Sequence, residues 1–286
     1  MTSRVCVVGS VNMDAVYAVP NLPKPGETIL ATSAQLLPGG KGGNQAVAAA
    51  RAGARVQLVA AVGGDAHAAQ LRAHLAANDV GLDGLVTLPG PSGSAVIVVD
   101  AGAENTIVVA PGANAHLTMD SALLRHIVAK CDVLLVQLEI PLEAAVAAAR
   151  QARSSGAVVM VNASPAGADS HALADLAEVA DVVIVNETEG RVWHWPVPHL
   201  VTTRGARGAT HLHDGAESEI PAPAVEAVDT TGAGDVFAGV LAAGWSTDHH
   251  HALRRACAAG ALATLVAGAG DCAPSDEAIE DALAAD

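Results

Sequence analysis

The segment richest in possible chemistry is Val228-Asp229-Thr230-Thr231-Gly232-Ala233-Gly234-Asp235, which runs directly into a helix-like Val236-Phe237-Ala238-Gly239-Val240. Glycines just ahead of a helix let successive backbone N–H groups converge on one point, where the helix dipole also favours negative charge. Gly232, Ala233 and Gly234 therefore read as an anion hole with Asp235 at its edge. A carboxylate so placed can take a proton from an alcohol while the N–H groups hold the phosphoryl group under attack. The plain alternative is a glycine-rich turn with an ordinary first-turn carboxylate, and G-A-G-D alone does not separate the two.

A second cluster, Pro38-Gly39-Gly40-Lys41-Gly42-Gly43-Asn44-Gln45-Ala46, leads into a helix that closes at Gly53. Its glycines permit close backbone approach, while the ammonium of Lys41 and the amide of Asn44 suit several hydroxyls of a small sugar. The alternative is a loop with a solvated lysine. A Walker A loop is excluded, because that motif places a serine or threonine directly after the lysine and Gly42 stands there.

Residues this far apart meet only if the fold carries them together. Apolar runs at Val5 to Val8, Val56 to Val62, Val133 to Val136, Val158 to Val161 and Val182 to Val185 alternate with alanine-rich segments long enough for helices. Continuous Val/Ile/Leu runs are strands buried on both faces, so the pattern predicts an α/β fold with a mostly parallel sheet between two helical layers. Ligands of such sheets bind beyond the carboxyl ends of the strands, where Gly9-Ser10-Val11-Asn12-Met13-Asp14 places an amide and a carboxylate; an Asx-type turn is the alternative there. Pro141 and Glu143 open a helix from Leu142 to Arg153, which Gly156 ends, and further helices are expected at Gly234 to Trp245, at His250 to Ala267 and after Pro274-Ser275. Ala15 to Leu37 and Gly84 to Gly112 break this rhythm with prolines, glycines and short alternating runs, and are expected to form a small β lid. With no internal repeat or linker, residues 1–286 read as one domain carrying that lid.

Composition removes several classes of partner. A formal net charge of −15 and only 2% aromatic residues argue against nucleic acid, which calls for a basic stripe and stacking platforms. No apolar run reaches the length of a membrane span, and Met1 to Arg4 leads into a strand rather than a signal-type apolar region, so a cytoplasmic location is expected. Cys6, Cys131, Cys257 and Cys272 lack metal or redox spacing and read as reduced thiols. His249-His250-His251 are adjacent on a helix and do not face one another, so a solvated helix start is expected rather than a metal cluster.

The D-T-T-G-A-G-D at Asp229 to Asp235 and the G-G-K-G-G-N at Gly39 to Asn44 together resemble the two signatures of ribokinase-like carbohydrate kinases of the phosphofructokinase B type, with Gly43 where that family commonly has alanine. The resemblance extends from Val5 to about Ser275. It implies a three-layer sandwich with a β lid and ATP-dependent phosphorylation of a small sugar, foremost D-ribose on its 5-hydroxyl. Asp235 would be the catalytic base, with Gly232, Ala233 and Gly234 as the anion hole. The sugar would be held by Asn12, Asp14, Gly40, Lys41, Asn44 and Glu139, and ATP by Asn186, Thr203, Gly205, Gly234 and Cys257. Mg2+ would be bound through water by Glu189, and an activating K+ by Asp229, Thr231, Gly270 and Ser275. Asn186 and Glu189, three apart, would share a helix face, with helix capping as the alternative use of the pair. The resemblance also implies a homodimer formed through the lid. Between Glu189 and Thr203 the chain is shorter than the family pattern, so one peripheral helix is expected to be missing around Trp193-His194-Trp195-Pro196-Val197-Pro198.

Three rivals bound this reading. A kinase of the same family could act on adenosine, another nucleoside or fructose. A non-catalytic sugar-binding protein would have no use for Asp235 and its glycines. A nicotinamide-dependent oxidoreductase would carry G-x-G-x-x-G after the first strand, which Gly9 to Asp14 does not.

Overall fold

A computed structural model describes residues 2–102, 104–167 and 170–285. The apolar runs become parallel strands: β1 (Arg4–Val8), β4 (Arg55–Val62), β5 (Gly81–Thr87), β8 (Val133–Val136), β9 (Val158–Asn162), β10 (Val182–Asn186) and β11 (His199–Thr203). They form a nine-stranded sheet in the order β13-β12-β11-β10-β9-β8-β1-β4-β5. Only β12 (Ala209–His213) and β13 (Ala216–Ile220), at one edge, run antiparallel to their neighbours.

Side chains alternate across this sheet, and both sides are apolar. Val5, Val7, Val133 and Leu135 enter one core, whereas Cys6, Val8, Leu134 and Val136 enter the other. On the first side lie α1 (Lys41–Arg51), α2 (Ala66–Ala77), α7 (Ala233–Gly244), α8 (His249–Ala263) and α9 (Asp276–Ala284); on the second lie α3 (Ala122–Val128), α4 (Leu142–Ser154) and α5 (Ser170–Ala177). The helices present mostly alanine to the sheet, so they approach it closely without large side chains. None of the described helices is long and apolar enough to cross a membrane.

A second sheet has the order β3-β2-β6-β7, from β2 (Asn12–Ala18), β3 (Ser33–Gly39), β6 (Gly93–Val99) and β7 (Asn105–Ala110). It leaves the main sheet as expected, but its boundaries differ from the sequence reading. Gly84 to Thr87 belong to β5, paired in parallel with β4 through Val59↔Gly84 and Ala60↔Leu85. Glycines at 81 and 84 gave that strand the look of a loop, while its pairing and the burial of Leu85 hold it in the main sheet. Helix α8 likewise stops at Ala263 rather than Ala267, its last turn closing through Thr264, whose hydroxyl donates to the Ala261 carbonyl.

After β10 the only helical residues before β11 are the four of α6 (Glu187–Gly190). Trp193 then packs into the second core, its indole N–H donating to the Trp195 carbonyl at 3.0 Å. At the far edge of the sheet, His250 and His251 are exposed at the start of α8 as expected, but His249 is not merely solvated. Its ring stacks on Trp245 at 4.0 Å, within a group formed by His199, His211 and His213 of β11 and β12. Antiparallel pairing of His199 with His213 puts these rings on one face, a consequence of register invisible in the adjacent triplet.

Candidate active site

The site forms beyond the carboxyl ends of β1, β8, β9 and β10, where α1 and α7 begin. Parallel strands with right-handed helical crossovers bring those ends together at one edge. Gly40, with φ +86°, precedes α1, and Gly232, with φ +82°, precedes α7; both are left-handed positions that suit glycine. No side chain caps the start of α7, so its first turn faces the cleft with its backbone, although the Ala233 N–H turns onto the Thr230 carbonyl at 3.3 Å.

Asp235 lies in that first turn and is 8% exposed. Its Oδ2 accepts from Asn44 Nδ2 and its Oδ1 from Gln45 Nε2, each at 3.0 Å. Glu139 Oε2 accepts from the Ser10 hydroxyl at 2.6 Å and from the Lys41 backbone N–H at 3.3 Å. The Asn12 Oδ1 accepts from Asn114 Nδ2 at 2.8 Å, and Asn114 Oδ1 takes the Val11 N–H, which fixes the 3-10 turn Gly112–His116 against the start of β2.

Charge is unevenly satisfied here. Asp235, acting against burial, and then Glu139 and Glu189 hold the Lys41 ammonium above its ordinary pKa, so it stays charged. Asp14 has the opposite fate: burial, then the neighbouring Glu139 and Asp235, push it up to about 7. Its Oδ1 is buried with no hydrogen-bond partner in the protein, which is what a site awaiting a hydroxyl donor looks like.

Two cavities border this group, Asp14 lining one and Lys41 and Asp235 the other. One of about 530 Å³ lies beneath the small sheet and extends from Asp14 to Thr231. A smaller one, of about 140 Å³, is lined by Lys41, Asn186, Glu189, Thr203, Gly234 and Asp235. The Asp235 carboxylate and the Lys41 ammonium therefore line a narrow polar slot, while Asp14 lines the larger chamber.

The chain matches the model of the pfkB family carbohydrate kinases over residues 2–276. It belongs to that family. The kinase is 35% identical over 290 residues to the ribokinase of Bacillus subtilis, covering 98% of this chain and 99% of the relative. It is also 35% identical over 260 residues to the ribokinase of Haemophilus influenzae, covering 84% of each. Among solved structures it resembles Arabidopsis thaliana ribokinase, determined in complex with ribose and ATP, with a TM-score of 0.89 and 29% identity over 99% of both chains. The three-layer architecture expected from the sequence is thus that of its relatives, and the protein is an ATP-dependent sugar kinase.

Other residues singled out in the sequence fall in different places in the kinase. Asn186 and Glu189 make a reciprocal capping box at α6, with Asn186 Oδ1 accepting the Thr188 and Glu189 N–H groups and Glu189 Oε2 accepting the Asn186 N–H. Both also line the smaller cavity, so the pair caps a helix and faces the slot. Thr203 ends β11 there, and Gly205 opens a 3-10 turn just beyond it. Cys257 is not brought to the cleft: it is 3% exposed, its thiol faces the Ile220 carbonyl at 3.6 Å within the core, and burial pushes it up to about 12. Although burial opposes it, N–H donation from Gly268 and Thr231 holds Asp229 below the usual carboxylate range. Gly270 packs on the Pro38 backbone, and Ser275 caps α9 through the Ala278 N–H.

Ser10, Gln45, Asn114, Gln137 and Asn162 were not among the expected site residues. Gln45 had a readable signal, since Lys41, Asn44 and Gln45 stand at i, i+3 and i+4 and share one face of α1. The others announce themselves only through contacts across strands.

Proposed function

We propose that the kinase transfers the γ-phosphoryl group of ATP to the 5-hydroxyl of D-ribose. The observation that carries this reading is the place of Asp235: a buried carboxylate with both oxygens fixed, at the uncapped start of α7 and lining a polar slot, close enough to the unpartnered Asp14 to repel its charge. Ribose would lie against Asn12, Asp14, Gly40, Lys41, Asn44 and Glu139, with ATP along Asn186, Thr203, Gly205 and Gly234. Asp235 takes the proton of the 5-hydroxyl as that oxygen bonds to the γ-phosphorus, the bond from phosphorus to the β-bridging oxygen breaks, and ADP leaves. The start of α7 and Lys41 face the charge spread over the transferred group. The free anomeric and ring hydroxyls of a pentose satisfy this many buried donors and acceptors; a nucleoside would leave one unpaired.

The donor set suits hard cations. Glu189 at the slot would hold Mg2+ through water, and Asp229 with the oxygens of Thr231 and Gly270 would hold K+; Ser275 is the least suited member, its hydroxyl being engaged in the cap of α9. When bound, they would neutralise phosphate charge and order the 229–231 loop.

The chain works as one domain with its small sheet as a lid, in the cytosol and as a homodimer. Leu36, Val96 and Val108, joined in one cross-strand row through Ala15, expose apolar side chains on the lid, and a second copy is the occupant that row fits. A monomer at micromolar concentration in sedimentation would remove that part. The main test is ADP release across D-ribose, 2-deoxy-D-ribose, fructose and adenosine, with phosphorus NMR of the product. Ribose must give the highest kcat/KM and a 5-phosphate; preference for adenosine, or phosphate on another carbon, rejects the assignment.

A further inference from the structure

Behind Asp235 lies a set of amides that never reaches solvent. Gln45 and Gln137 are each 0% exposed. Gln45 Nε2 donates to Asp235 Oδ1 at 3.0 Å and to Asn162 Oδ1 at 3.1 Å, and Gln45 Oε1 accepts from Gln137 Nε2 at 2.7 Å. An ionised carboxylate only accepts, so Gln45 must turn its NH2 toward Asp235 and its carbonyl toward Gln137. Gln137 then presents its own NH2, and its Oε1 is left buried against Gly9 without a donor. An orphaned acceptor at that depth is unfavourable, and the structure tolerates it at the end of a chain whose other end is the carboxylate.

The backbone enforces the same arrangement. Gly239 is one turn beyond Asp235 on α7 and lies against α1 so closely that a Cβ there would be 2.8 Å from Ala48 Cβ and 3.0 Å from the Ala49 nitrogen, and nearer still to the Gln45 carbonyl oxygen. The crossing that seats Gly239 on α1 also sets the Gln45 side chain on Asp235.

We propose that Gln45, oriented by Gln137, is a positioning residue that fixes the plane of the Asp235 carboxylate for proton acceptance. The torsion of an aspartate carboxylate is broad, and a single donor, Asn44, leaves it free to pivot. Asn44 on one oxygen and Gln45 on the other hold both, so the remaining lone pairs keep one aim at the bound hydroxyl. Gln45 touches no substrate, being wholly enclosed by protein. This inference rests on Asp235 being the base.

The test uses whichever sugar gives the fastest ADP release, with kcat, both KM values, the pH profile of kcat and thermal melting for each variant. Gln45→Met is expected to lower kcat about tenfold or more with both KM values within about twofold. Gln45→Glu puts two carboxylates on one proton, so the acid limb of its kcat profile moves up by roughly a unit or more. Gln137→Met loses less, about three- to fivefold in kcat, and nothing further when added to Gln45→Met. The proposal is overturned by near-normal turnover of Gln45→Met, by a loss confined to KM, by an unmoved acid limb in Gln45→Glu, or by additive effects of the two methionines. Should the position-45 variants fail to fold, Gln137→Met decides alone: reduced kcat at constant KM supports the relay, and normal kcat ends it. Asp235→Asn separates the two readings. If it stays active the base assignment falls, whereas an inactive Asp235→Asn beside a normal Gln45→Met removes only the positioning role.

Discussion

Two polar clusters lie toward opposite ends of the main sheet, one mostly buried and the other partly open to solvent. The centre around Asp14, Lys41, Glu139 and Asp235 stands beyond the carboxyl ends of β1, β8, β9 and β10; at the amino end of β11, His199, His211, His213 and His249 gather around Trp245. The first is built from opposed charges and oriented amides, and one member, Asp14, is left needing a partner. The second is built from like groups whose rings stack. Burial, then His213, His211 and His249, against the pull of Asp214, depress His199 to about 4, and His211 and His249 are lowered in the same direction.

The signs of their effects on stability are opposite. Asp14, raised from 3.8 to about 7, binds a proton in the folded state that the unfolded chain has released, so its contribution is lost as pH rises between those values. His199, lowered from 6.5 to about 4, binds fewer protons folded than unfolded, so its contribution is present above about 6.5 and is lost as pH falls toward 4, and His211 and His249 act in the same direction. The windows overlap, and the two groups flatten one another's pH response. A polar cluster with shifted titration is therefore not by itself a mark of catalysis; an unmet hydrogen bond facing a cavity is the better mark.

The largest expected effect that would break this contrast is at the proposed base. Asp235→Asn should lose roughly a hundredfold or more in turnover while sugar and ATP binding survive, as initial rates and calorimetry would show. Near-normal turnover would make the two clusters functionally alike. Next, Asp14→Asn should raise the apparent KM for sugar about tenfold yet increase Tm by roughly 3–6 °C at pH 8, because the neutral amide escapes the cost of a buried charge and then the repulsion from Glu139 and Asp235. An unchanged Tm would show that the carboxyl is not under strain there. At the other end, His199→Gln should reduce the fall in Tm between pH 7 and pH 5 by roughly 2–4 °C and leave kcat unchanged; a slope equal to the parent's would take the histidines out of the account. The smallest effect is a few-fold activation by K+ over Na+, abolished by Asp229→Ala. Equal rates in both salts would withdraw the cation site.

The cleft that gathers Asn44, Lys41 and Asp235 was legible where its residues are contiguous. Asp229 to Asp235 and Gly39 to Asn44 each carry glycines, a helix start and a polar side chain within a few residues, so local pattern was enough to single them out. Gln45, Gln137 and Asn162 were not legible as one network, because each is an unremarkable amide until β8, β9 and α1 set their register. The strands buried on both faces stood out as apolar runs, whereas β5 did not, since Gly81 and Gly84 mimic a loop and only pairing with β4 reveals the strand. The histidine group was hidden for the same reason as the amides: His199 and His213 lie opposite each other only once β11 and β12 pair. Cys257 misled in the other direction, a position inferred by resemblance whose thiol points into the core.

The stretch between β10 and β11 carries a different lesson. An indole covers ~150–250 Å² of neighbouring surface, so Trp193 roofs its part of the sheet with a single side chain, braced edge-on by Trp195 at 5.2 Å. What the sheet requires at that point is shelter from water, and helicity is only one way of supplying it. The connecting backbone is thereby released from the rules of helix composition, which is how Pro196 and Pro198 are accommodated within six residues of the tryptophan that does the sheltering.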